Sequence, residues 1–228
     1  MRFDYRGMGD SEGSARTFES IGSDIGAAID AFFGSVPGVR RVVLWGLCDA
    51  ASAILFFANR DPWIAGLVLV NPWARSPEGL ARTQIRHYYL SRLKDPEFWA
   101  KVRSGGVNIR TAARGFLGSV RRALGIGGEA SMAAPTVHGA QPAKRPLVER
   151  MLSGMQRFSG KVLFVISGDD LTAREFLDAV ASSRAWQRAM QEARVEQRSL
   201  PDANHTFSRK VWRDQIASWT IEIGRAHV

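Results

Sequence analysis

Cys48, Asp170 and His205 are the three residues whose types and order could do nucleophilic chemistry together. A thiolate can attack a carbonyl, an imidazole can take or hold its proton, and a carboxylate can orient that imidazole. Cys48 lies in Leu44-Trp45-Gly46-Leu47-Cys48-Asp49-Ala50, directly after an apolar run and directly before a small-residue helical pattern. Gly46 and Ala50 stand two residues to either side of it. A nucleophile on a sharp strand-to-helix turn needs this small-x-nucleophile-x-small spacing, because larger flanking side chains would collide with the strand and helix. The turn would set the thiol at a helix N-terminus, where the dipole and free N–H groups favour a thiolate. The backbone N–H of Asp49 would be one oxyanion donor. Read by itself, Cys48 fits a small buried hydrophobe equally well.

The partners follow later in the chain. Ser167-Gly168-Asp169-Asp170 comes directly after the apolar run KVLFVI, and Ala203-Asn204-His205-Thr206-Phe207 follows the run VEQRSL. Carboxylates and histidines just past strand ends sit where α/β sheets assemble their sites. The order nucleophile, acid, histidine is that of α/β-hydrolases. Asp169 is the alternative acid. Taken singly, Asp170 could be a helix cap and His205 a surface residue. His87 and His138 have no paired ligands nearby. Gly7-x-Gly9-x-x-x-Gly13 is one residue too long for a dinucleotide loop.

These stations need elements to hold them. Ile21, Ile25, Ile29 and Phe33 recur every four residues, which predicts an amphipathic helix over 18–33. Val42–Trp45 and Ile64–Val70 read as strands buried on both faces, with a helix over 50–59 between them. Asn71-Pro72 ends the second strand. After a break, 146–158 predicts a helix, 161–166 a buried strand, and 172–180 and 182–192 helices. A more polar strand over 195–200, nearer the sheet edge, leads to a closing helix over 209–220 with Val211, Ile216 and Trp219 inward. The alternation predicts an α/β fold with a mostly parallel sheet flanked by helices. Residues 1–73 and 151–221 would form the core, and 74–150 a helical cap insertion with a mobile loop over 125–143. Glu222–Val228 (EIGRAHV) back-translates to a common sequencing-adapter sequence and is expected to be a non-native tail, so His227 carries no functional weight.

The charge is uneven. The chain has 31 Lys and Arg against 22 Asp and Glu. Residues 74–150 hold 14 and 5 of these, which leaves 17 of each sign elsewhere. A basic insertion can attract an anionic substrate, although a solvated helical surface accounts for it too. It lacks the aromatic-plus-basic pattern of a nucleic-acid groove, so no nucleic-acid partner is expected. One cysteine excludes an internal disulfide framework and a cysteine-cluster metal site, and suits the reducing cytoplasm. No apolar run is long enough to span a bilayer.

Together the motifs resemble a known superfamily. FDYRGMGDSEG is similar to the D-x-R-G-x-G-x-S loop of α/β-hydrolases, and GLCDA, SGDDLTA and ANHTF resemble their elbow, acid and histidine loops. More narrowly, WGLCDAASA and GDDLTAREF are similar to the exosortase A system-associated hydrolase 1 group, which is linked to bacterial exopolysaccharide and protein-sorting functions. The resemblance implies a hydrolase acting on an ester or thioester, or an acyltransferase, with Cys48, His205 and Asp170 as triad. It implies no metal or organic cofactor and a small acyl substrate. It also implies that the first strands, with the second oxyanion donor, precede the D-x-R-G loop and are missing here. The alternative is a catalytically inactive member of the same fold that binds or scaffolds a partner.

Overall fold

The computed structural model describes residues 1–14, 16–74 and 145–225. They belong to one compact unit, Met1–Arg75 with Arg145–Val228. The predicted cap and its loop over 125–143, with His87 and His138, lie outside the described residues, apart from the ends of the insertion; so does His227.

A short 3-10 turn, Phe18–Ser20, precedes helix α1 (Gly22–Ser35). Strand β1 (Val42–Leu47), helix α2 (Asp49–Phe57) and strand β2 (Ile64–Val70) follow. Helix α3 (Leu147–Arg157) leads to strand β3 (Lys161–Asp169), helices α4 (Leu171–Ala181) and α5 (Arg184–Met190), strand β4 (Val195–Asn204) and helix α6 (Lys210–Arg225). The four strands are parallel, in the order β1-β2-β3-β4. All their C-terminal ends therefore lie along one rim of the sheet, and Cys48, Asp170 and His205 follow three of those ends.

Alternation along the central strands sorts side chains between two cores. Leu67, Leu69, Val162, Phe164 and Ile166 point to the face covered by α1 to α5. Val68, Val70, Leu163 and Val165 point to the face covered by α6. These residues are 3% exposed or less, as expected of parallel strands with helices on both sides. The first core is the larger, and within it Phe176 stacks on Phe164 and meets Trp186 edge-on.

Three expectations change at this level. β1 is not buried on both faces: only Gly46 is buried and Trp45 is 50% exposed. Among the described residues β1 pairs only with β2, because Met1–Tyr5 forms no strand beside it. Apolar grooves of about 410 Å³ and 450 Å³ flank β1, one lined by Met1, Phe3, Ile29 and Val42, the other by Trp45, Leu47 and Ile221. Second, Val211 is 65% exposed, and the inward stripe of α6 is Trp212, Ile216, Trp219 and Ile223. That stripe follows the i, i+4, i+7, i+11 spacing of one helix face, to which Val211 does not belong. Third, the closing helix expected over 209–220 runs on to Arg225, with Ile223 in the core and Glu222 paired to Arg198 at 2.7 Å.

Candidate active site

Cys48 is the N-cap of α2 and holds φ 61°, ψ −120°, a conformation that side-chain-bearing residues rarely adopt. The neighbours allow this turn only if position 46 is small. A Cβ on Gly46 would lie 2.7 Å from the Ala50 carbonyl carbon, 2.7 Å from the Ala51 nitrogen and 2.8 Å from Ile54 Cδ1. Backbone bonds grip the turn from both sides. The Cys48 N–H donates to the Val70 carbonyl at 2.9 Å, and its carbonyl accepts from the N–H groups of Trp73 (3.2 Å) and Ser52 (3.3 Å). Cys48 is half-buried. Asp49 is the first residue of α2, where backbone N–H groups have no acceptor within the helix. Its side chain accepts from the Ala50 N–H at 2.8 Å. Tyr5, from the D-x-R-G-like loop, packs beside it: burial first, then the Asp49 carboxylate, push the Tyr5 phenol above its usual pKa.

Asp170 is both a helix cap and the partner of His205. Its carboxylate caps α4, accepting from the N–H groups of Thr172 and Ala173, each at 3.1 Å. The oxygen bonded to Ala173 also lies 2.8 Å from His205 Nδ1. The Asp170 side chain is 7% exposed and that of His205 34%, so the ion sits inside while the ring reaches solvent. Asp169 is exposed and lies opposite Asn204 in the β3–β4 register, away from this bond. Gly168 lets the two strand ends close together, since a Cβ there would strike the Pro201 carbonyl oxygen. The histidine loop is a tight turn. Phe207 plugs it into the second core with φ 50° and 3% exposure, and the Asn204 side chain bonds Ser208 twice.

Among the described residues no three His, Cys, Asp or Glu side chains gather as a metal site. None of their helices is long and apolar enough to cross a membrane.

The family profile of the alpha/beta hydrolase family matches residues 1–215. The chain belongs to that family. Solved structures of similar fold include the Pyrococcus furiosus esterase Pf2001, 14% identical, with a TM-score of 0.56 over 98% of this chain and 68% of that one. The alpha/beta hydrolase GrgF from Penicillium sp. sh18 is 20% identical, with a TM-score of 0.55 over 98% and 78%. A thermophilic esterase from Thermogutta terrifontis is 19% identical, with a TM-score of 0.50 over 99% and 79%. No curated protein matches the chain. In this alpha/beta hydrolase fold the sheet rim carries all the predicted site residues, and it brings Asp170 and His205 into direct contact.

One rim residue escaped the sequence reading. Asn71, read only as a strand terminator, is fully buried and bonds Ser167 and the His205 carbonyl. The available signal was a polar side chain directly at the C-terminal end of an otherwise apolar strand, where α/β sites form.

Proposed function

We propose that this protein cleaves an ester or thioester through Cys48, His205 and Asp170. The observation that carries the reading is the 2.8 Å contact between His205 Nδ1 and an Asp170 carboxylate already held by two helix N–H groups. A carboxylate partner can only accept, which supports Nδ1 as the protonated nitrogen and Nε2 as the one available for proton transfer. His205 Nε2 takes the Cys48 proton, and Sγ bonds to the substrate carbonyl carbon. The oxyanion is stabilised by the Asp49 N–H. The bond to the leaving oxygen or sulfur breaks, and the leaving group takes the proton from His205. Water then gives a proton to His205 and attacks the thioester; the C–S bond breaks, and the proton returns to the Cys48–His205 pair. Every proton is recovered, and no cofactor enters.

A cysteine nucleophile needs little help to ionise, which favours activated acyl bonds over amides. The basic stretch over 74–150 supports an anionic acyl substrate or acceptor. The similarity of WGLCDAASA and GDDLTAREF to the exosortase-associated group supports a bacterial, cytoplasmic setting linked to exopolysaccharide or protein sorting.

The test uses a p-nitrophenyl acyl ester and an ester-bearing activity probe on the intact chain. Cys48→Ala should abolish both turnover and labelling. His205→Ala should lower kcat/KM by about 10²–10⁴-fold, the usual contribution of a positioned acid–base group. Equal labelling of the parent and His205→Ala would sink the triad and leave a binding protein of the same fold.

A further inference from the structure

The tripeptide Asn71-Pro72-Trp73, just past β2, touches the backbone of both reacting residues. At one end, the Trp73 N–H donates to the Cys48 carbonyl at 3.2 Å, and the Trp73 carbonyl accepts from Ser52 Oγ at 2.7 Å. Ser52 lies fully buried one turn into α2. At the other end, Asn71 Nδ2 donates to the His205 carbonyl at 3.1 Å and to Ser167 Oγ at 2.8 Å, while Asn71 Oδ1 accepts from the Ser167 N–H at 2.9 Å. The Asn71 N–H donates to the Val165 carbonyl at 3.0 Å. β2 lies between the elbow strand and the acid strand, and the Asn71 side chain reaches past β3 to the His205 backbone, so the link joins the two reacting residues. Three residues reach at most about 10 Å, and the proline ring stiffens the middle one.

We propose that Asn71 is a positioning residue that holds His205 at working distance from Cys48. The proposal rests on the Cys48–His205 reading above. Two demands meet at position 71. The backbone has φ 43°, which asparagine tolerates better than most side chains. The side chain must offer two donors and an acceptor on a short stem, which only an amide does. Aspartate would lose both donors, and leucine would leave the buried Ser167 N–H unpaired.

Cys48 is the chain's only cysteine, so its alkylation by iodoacetamide can be followed without interference. The pH profile of that reaction is measured on the intact chain for the parent, His205→Ala and Asn71→Gly, which keeps the backbone freedom and removes the amide. Loss of an imidazolium partner moves thiolate formation to higher pH. His205→Ala should therefore shift the profile upward by about one pH unit, and Asn71→Gly by at least about half of that. With a p-nitrophenyl ester, Asn71→Gly should lower kcat about tenfold and leave KM within about twofold. Tyr5 and Asp49, which also stand at the elbow, are the same in all three proteins. Ser183→Ala removes the N-cap of α5 far from the rim, and should lower thermal stability without moving the profile. If Asn71→Gly does not fold, Asn71→Ser carries the same expectation, because its shorter hydroxyl cannot span both partners. A shift in His205→Ala with none in the Asn71 variant would reduce Asn71 to a structural bond and overturn the proposal. No shift in His205→Ala would remove the Cys48–His205 pair itself, and the proposal with it.

Discussion

At the end of β1 the Cys48 backbone is bent to φ 61°, ψ −120°, while at the ends of β3 and β4 the Asp170 carboxylate collects hydrogen bonds from Thr172, Ala173 and His205. The first place stores strain; the second accumulates favourable contacts. The elbow keeps its shape because the bare Gly46 leaves the space that the first turn of α2 occupies and because Val70 and Trp73 grip the turn. The acid–base pair keeps its shape because relaxing would break bonds. The lesson is that stability and activity should be opposed at the nucleophile and aligned at the acid.

The largest expected effect is at the glycine that permits the elbow. Gly46→Val would place side-chain atoms inside the contact distances of Ala50, Ala51 and Ile54. It should cost more than about 3 kcal/mol, above the usual range for overpacking because two of the obstacles are backbone. Urea unfolding and soluble yield measure it; a variant as stable as the parent would show that the turn can relax. Next is the acid. Asp170→Ala removes a helix cap and the His205 contact together, and should destabilise by about 2 kcal/mol while lowering kcat at least about tenfold. Asp170→Asn keeps the cap, so thermal denaturation should show most of the stability retained while the rate still falls. Equal stability losses in the two variants would break the idea that cap and catalytic roles separate there. The smallest effect has the opposite sign. Cys48→Gly abolishes activity but relieves about 1–3 kcal/mol of backbone strain against a glycine entropy cost of about 0.5–1 kcal/mol. A net gain near 1 kcal/mol in urea unfolding is expected. A net loss would mean that the thiol's packing outweighs the strain, and the contrast between the two ends would fall.

How much of this was legible depended on whether a signal was local. IAGLVLV gave the bounds of β2 at Ile64–Val70 because every one of its residues is buried and Asn71-Pro72 closes it. The Asp170 cap and the His205 loop were legible as stations, but their contact was not, since it joins residues 35 apart. β4 runs to Asn204, past Pro201 where a strand would be expected to stop. An edge strand tolerates a proline because one side of its backbone need not donate. β1 reads like an interior strand because its side chains are apolar; burial, which depends on neighbours, could not be read from them. Asn71 was hidden for a related reason. Asn-Pro is a strong turn signal, and it masked a side chain whose partners lie 96 and 134 residues away.

β4 and β1 also differ as borders of the sheet. β4 presents Glu196 and Arg198, charges that discourage another strand from adding there. β1 presents Val42, Val43, Leu44 and a half-exposed Trp45, with apolar grooves above and below. Among the described residues, its outer row of N–H and C=O groups is a template for strand addition. Association through such a template is bimolecular, so its initial rate grows with the square of concentration. Dilution, more than cooling, should keep the chain monodisperse.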